Sequence, residues 1–140
     1  MKVTIFSDGA SRNNPGEAGI GIVINHGKKT VLEVSEYLGR TTNNIAEYLA
    51  FIRGLEEALL LGATEAECFA DSELLVKQIK GEYRVKNEGL IPLYFHAKSL
   101  IKKFAHCSLH YIPREKNGLA DELANKGIDN STARSLPLFD

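Results

Sequence analysis

Four acidic residues hold comparable places in this chain. Asp8 and Asp71 each follow an apolar, strand-like run, and Glu47 and Asp121 each fall in the first turn of a helical pattern. Singly, each has an ordinary explanation: Asp favours turns, and an acid at a helix start gains about 0.3–1 kcal/mol from the helix dipole. Jointly they imply more. Strand ends and helix starts meet at one edge of an α/β sheet, where such folds place their sites. Carboxylates gathered there repel and raise one another's pKa unless a cation neutralises them. An all-oxygen donor set suits Mg²⁺, with Mn²⁺ as a substitute. Mg²⁺ held by carboxylates keeps waters and is completed by substrate phosphates, so the expected chemistry is phosphoryl transfer or phosphodiester hydrolysis.

The neighbours of Glu47 extend this to a nucleic-acid substrate. The segment "GRTTNN", Gly39 to Asn44, places Arg40, Thr42, Asn43 and Asn44 just ahead of the acid. Asn43 or Asn44 serves as a helix N-cap, which leaves the second Asn unexplained. Side-chain amides donate to and accept from 2′-hydroxyls and base edges, and Arg40 with Thr42 can hold a phosphate.

The elements that must position these residues follow from hydrophobic period. Val3–Phe6, Gly19–Asn25 and Thr30–Leu38 read as strands, the last two joined by the "NHGKK" hairpin turn. From Asn44 the apolar residues Ile45, Leu49, Ile52, Leu55, Leu59 and Leu60 recur at helical steps, and Gly62 stops the helix. A strand at Ala66–Ala70, helices at Ser72–Ile79 and Leu90–Phe104, a strand at Ser108–Ile112 and a helix at Leu119–Lys126 complete the order. Three strands followed by helix–strand–helix–strand–helix imply a mixed five-stranded α/β sheet, antiparallel first and then parallel, with helices against it.

Composition sets the frame. The 140 residues, 44% hydrophobic and 25% charged, suit one globular domain. No apolar run nears the roughly 18 residues that span a bilayer, and the start Met1-Lys2-Val3 lacks signal-peptide order. A cytoplasmic location and no membrane partner are expected. Cys68 and Cys107 form no zinc spacing with each other or with the histidines and are expected as buried free thiols; they pair only if their strands are adjacent. The net charge of −1 argues against binding nucleic acid by bulk charge, leaving local basic clusters such as Lys77, Lys80, Arg84 and Lys86. The domain is expected over residues 1–128, with a tail at 129–140.

Four blocks, "FSDGASRNNPG", "TTNNIAEYLA", "FADSELLVKQI" and "REKNGLADELAN", resemble the ribonuclease H type 1 family in order and spacing over residues 1–128. The resemblance implies a ribonuclease-H-like fold and metal-dependent endonucleolytic cleavage of the RNA strand of RNA–DNA hybrids, leaving 5′-phosphate and 3′-hydroxyl ends. It implies two metal ions. Asp8, Glu47, Asp71 and Asp121 are then the catalytic acids, with Asp8 bridging both ions, Asp121 joining it on the one that activates water, and Glu47 and Asp71 holding the other. Asn14, Asn43 and Asn44 match positions that contact the RNA strand, and Arg40 and Thr42 match a pocket for a DNA-strand phosphate.

The chain departs from the pattern in three ways. The loop histidine of many bacterial members is absent, and Arg114 in "PREKN" is the nearest counterpart, expected as a phosphate or product contact. The basic, Trp-containing protrusion of some members is replaced by "GEYRVKNEGLIPLY" in a chain without Trp. No hybrid-binding domain is expected ahead of the catalytic one. The tail Ser135-Leu136-Pro137-Leu138-Phe139 is similar to short peptides that dock bacterial replication proteins on the sliding clamp. Two other readings compete: a nucleic-acid-binding module that has lost catalysis, and a different nuclease on the same fold.

Overall fold

The computed structural model describes residues 1–134, with side chains to Ser131; the segment Ser135–Phe139 lies outside the described residues. Five strands, β1 (Lys2–Ser11), β2 (Gly16–His26), β3 (Lys29–Thr41), β4 (Glu65–Ala70) and β5 (His106–Tyr111), form one sheet in the order β3-β2-β1-β4-β5. β1 and β2, and β2 and β3, pair antiparallel, while β1 with β4 and β4 with β5 pair parallel. The helices are α1 (Asn43–Leu60), α2 (Glu73–Ile79), α3 (Ile91–Ile101) and α4 (Gly118–Arg134). A short 3₁₀ turn, Arg114–Lys116, precedes α4. The mixed five-stranded α/β architecture expected from the period is the one observed. Among the described residues no helix is long and apolar enough to cross a membrane.

Residue alternation on β1 divides its side chains between two layers. Val3, Ile5 and Ser7 are buried on the side of α1, whereas Phe6 and Asp8 share the opposite side. α1 meets the sheet through Ala46, Ala50, Gly54 and Ala58, small residues at four-residue spacing, and all four are buried. A side chain at Gly54 would sit 2.9 Å from Ile5 Cγ2, so the small stripe sets the close approach of helix to sheet. The large residues Tyr48, Phe51, Ile52 and Leu55 fill the flanks, while Leu60, expected on the apolar face, is 83% exposed. On the other layer α4 lies against β2: a Cβ at Gly21 would be 2.0 Å from the Ala120 carbonyl oxygen.

Several boundaries differ from those read in the sequence. β1 does not end near Phe6 but runs through Asp8 to Ser11, because Asp8 pairs with Gly21 and Ser11 with Ala18 on β2. Asp8 is therefore an interior strand residue. β3 likewise runs on to Thr41 along β2, so Arg40 is a strand residue paired with Glu17. α4 continues past residue 128, with Ile128 buried. Cys68 and Cys107 lie on adjacent strands as free thiols, the first buried and the second half-buried.

Candidate active site

The parallel pairing of β1 and β4 puts Ser7 beside Ala70, so Asp8 and Asp71 leave neighbouring strands side by side. Asp71 is followed by Ser72, whose hydroxyl accepts from Leu75 N at 3.2 Å and caps α2. That cap, worth about 1 kcal/mol, fixes the turn that carries Asp71.

Glu47 arrives from α1. The helix is capped by Thr42, whose hydroxyl accepts from Ile45 N, and not by Asn43 or Asn44 as the sequence suggested. With the cap at Thr42, Glu47 falls in the second turn, not the first, so the macrodipole does not account for it. Its partner is the backbone: Gly9 N–H donates to the Glu47 carboxylate. Asp8, Glu47 and Asp71 thereby offer carboxylate oxygens within 4.8 Å of one another.

Asp121 is in the first turn of α4, as expected, and lines the same cavity of about 270 Å³ with Asp8, Glu47, Asp71, Asn43, Arg114 and Arg12. Its carboxylate is not within 4.8 Å of all three of the other acids, but it shares a hydrogen bond with Asp8. Asn125 Nδ2 donates to its carbonyl at 3.0 Å, and Arg114 approaches its carboxylate at 3.6 Å. Arg114 is 78% exposed, so this ion pair contributes little to stability, within about 1 kcal/mol.

Burial is the first cause of the raised pKa of Asp8, pushed to about 10, with the charges of Glu47 and Asp71 next and hydrogen bonds with Asp121 and Glu47 after them. Burial likewise leads for Glu47, raised to about 8, against the lowering effect of the Gly9 N–H. Buried carboxylates crowded this way either hold protons or face a cation. The donors are all hard oxygens, so the set fits a divalent cation such as Mg²⁺. Cation binding near pH 7 must displace protons from Asp8 and Glu47. Mg²⁺ or Mn²⁺ titrated calorimetrically in buffers of different ionisation enthalpy should therefore give buffer-dependent heats; buffer-independent heats contradict this.

The residues expected to contact substrate gather unevenly. Asn14 Oδ1 accepts from Asn43 N at 2.8 Å, and Asn43 Oδ1 accepts from Ser11 N at 3.3 Å, which ties the loop after β1 to the start of α1. Asn14, Arg40 and Asn44 are exposed, while Thr42 and Asn43 are half-buried, and the Thr42 hydroxyl is engaged as the cap.

Two residues near the acids escape a reading of the sequence. Arg12 pairs with Asp129 at 2.8 Å and with Asn125 Oδ1 at 3.2 Å, joining the end of β1 to α4. Asn117, only 2% exposed, bonds Asp71. Its place just ahead of a helix imitates an ordinary N-cap, and nothing local distinguishes the two roles.

Comparison with known proteins agrees with this geometry. The family model described as "Reverse transcriptase-like" matches residues 6–127. A bifunctional protein of Mycobacterium tuberculosis is 46% identical over 131 residues, covering 92% of this chain but only 36% of that protein's length. A ribonuclease H of Legionella pneumophila is 31% identical and is covered over 98% of its length by 92% of this chain. The crystal structure of a ribonuclease H1 from Halobacterium salinarum superposes with a TM-score of 0.90 at 38% identity, covering 93% of this chain and 99% of that one. A ribonuclease H1 solved in complex with an RNA/DNA hybrid gives 0.88 at 41% identity, covering 93% and 99%. Matched in sequence and in fold over nearly all of its described residues, the chain belongs to the ribonuclease H type 1 family.

Proposed function

We propose that the chain is a divalent-metal-dependent endoribonuclease that hydrolyses the RNA strand of RNA–DNA hybrids, leaving 5′-phosphate and 3′-hydroxyl ends. The observation that carries this is the meeting of Asp8, Glu47 and Asp71 within 4.8 Å in a cavity that Asp121 also lines. The family relationship supports the reaction, and the hybrid-bound relative supports the substrate.

Asp8, Glu47, Asp71 and Asp121 would hold Mg²⁺, or Mn²⁺ in its place, as two ions when substrate is bound. Bound there, the metal supplies charge neutralisation at the scissile phosphate and a more acidic water. The chain's own part is positional. The strand backbone fixes Asp8, and the Gly9 N–H fixes Glu47. Asn14 and Asn43, joined at the rim, present the loop after β1 and the head of α1 as one edge. That edge is suited to 2′-hydroxyls, which separate RNA from DNA. Asn44 and Arg40 are exposed nearby for base and phosphate contacts, with Thr42 beside them, and Arg114 stands over the cavity as a phosphate or product contact. A cytoplasmic setting and docking on a sliding clamp through Ser135-Leu136-Pro137-Leu138-Phe139 rest on sequence alone.

The test is cleavage of end-labelled RNA–DNA hybrid, double-stranded RNA and DNA duplex with Mg²⁺, Mn²⁺ or EDTA. Internal cuts in the RNA of the hybrid, dependent on metal, are expected. Inactivity on hybrid under every metal condition refutes the proposal.

A further inference from the structure

We propose that Asn117 is a positioning residue for the acidic cluster, holding the Asp71 carboxylate in register with Asp8. The inference rests on the metal-dependent reading above and deepens it. The Asn117 side chain donates from Nδ2 to two acceptors, the Ser7 carbonyl at 3.0 Å and Asp71 Oδ2 at 2.9 Å. The Ser7 carbonyl belongs to the peptide that leads into Asp8. One amide thus ties the backbone beside the β1 acid to the carboxylate at the end of β4. The main chain of the same residue reaches a third acid, because Asp121 N donates to the Asn117 carbonyl at 3.1 Å in the first turn of α4.

The chemistry of the side chain suits this task. A neutral amide orients a carboxylate without neutralising it, whereas Lys or Arg in its place would compete with a bound cation. Both Nδ2 protons are engaged by the two acceptors. Asn117 Oδ1, by contrast, is buried without a partner among the described residues. A buried acceptor without a donor weakens a fold, so the value of the side chain lies in what Nδ2 holds rather than in stability. Groups that orient metal ligands in this way typically change metal affinity by about 10–100-fold when removed.

The experiment uses the full chain, ¹⁵N-labelled, titrated with Mg²⁺. In the wild type the Asn117 side-chain amide resonances should shift with the same apparent constant as the Gly9 amide, which reports on Glu47. In Asn117→Ala the constant read at Gly9 should weaken about tenfold. kcat on hybrid should fall at low Mg²⁺ and partly recover at high Mg²⁺, with KM for hybrid unchanged. A residue that only supported the fold would lower the melting temperature and leave the Mg²⁺ constant as it was. That result overturns the proposal. If Asn117→Ala does not fold, the wild-type titration decides: an Asn117 amide that stays still while Gly9 moves overturns it equally. Should no resonance around Asp8, Gly9 and Asp71 respond to Mg²⁺ or Mn²⁺, the metal-dependent reading itself fails and takes this inference with it.

Discussion

Asp8→Asn is expected to reduce hybrid cleavage by at least about 10³-fold while making the metal-free protein more stable. Asp8 is 5% exposed, and the charges that bear on it, those of Glu47 and Asp71, are both negative. Asn keeps the volume, is neutral without taking up a proton and supplies an N–H donor to its acidic neighbours. The sign follows from proton linkage. The carboxyl of Asp8 rises from 3.8 to about 10 on folding, with burial as the leading cause. Between those values the folded chain binds more protons than the unfolded one, so stability falls as pH rises through that window. Asn does not titrate, and the variant escapes this loss. In EDTA its advantage should widen from pH 5 to pH 8, reaching about 1–3 kcal/mol or roughly 3–10 °C in melting temperature. Saturating Mg²⁺ should reverse the order, since only the wild type gains binding energy in the folded state. Calorimetric scans of both proteins at the two pH values, with and without Mg²⁺, check each part. An Asp8→Asn chain that is less stable in EDTA at both pH values, or that still cleaves, contradicts the expectation.

The acids are legible in the sequence because of where they fall. Polar residues at strand and helix ends are ordinary singly, but four that the pattern puts at such ends have no common structural reason. This holds even though Asp8 proves interior to β1 and Glu47 lies in the second turn of α1. The element order is equally legible, because hydrophobic period separates strand from helix without tertiary information. What stays hidden depends on partners distant in the chain. Ser7 to Ser11 carry no strand signal of their own; they extend β1 because β2 pairs with them. The apolar stripe of α1 points to Ile45, Leu49, Ile52, Leu55, Leu59 and Leu60. Of these Ile52 and Leu55 are buried and Leu60 is exposed, while the small residues Ala46, Ala50, Gly54 and Ala58, which the stripe omits, meet the sheet. Small residues look neutral in a hydrophobic pattern but permit the closest packing. The last helix reads as ending at Lys126, but Gly127 lies against the Glu36 backbone and Ile128 is buried, so α4 continues to Arg134. The role of Asn117 is hidden for the same reason, as its acceptors lie 110 and 46 residues away.

Gly9 sharpens the point, and its substitution has the second large expected effect. With the first strand expected at Val3–Phe6, Gly9 reads as lying in the loop beyond it. The chain does not turn there: β1 runs on, and Gly9 pairs with Ile20. What Gly9 permits is the approach of α1. A Cβ at this position would lie 2.2 Å from the Ala46 carbonyl carbon and oxygen and 2.4 Å from Glu47 N. All three are backbone atoms, so no rotamer change relieves the clash. Either α1 lifts from the sheet and unpacks Tyr48, Phe51 and Leu55, or β1 shifts and displaces Asp8. Both routes disturb the Gly9 N–H bond that fixes Glu47. Gly9→Ala should therefore cost about 3 kcal/mol or more, at the upper end for overpacking. It should also lower hybrid cleavage by about 10²-fold in whatever fraction stays folded, because misplacement by about 1 Å is enough. Gly118→Ala is the control: a Cβ there meets nothing within 4 Å, and a change within about 0.5 kcal/mol with full activity is expected. Urea titration of both variants gives the stability, and cleavage at matched folded fraction gives the rest. Wild-type midpoint and activity in Gly9→Ala would mean that α1 and β1 can separate without disturbing the acids. In that case the close contact at Gly9 is not what sets their geometry.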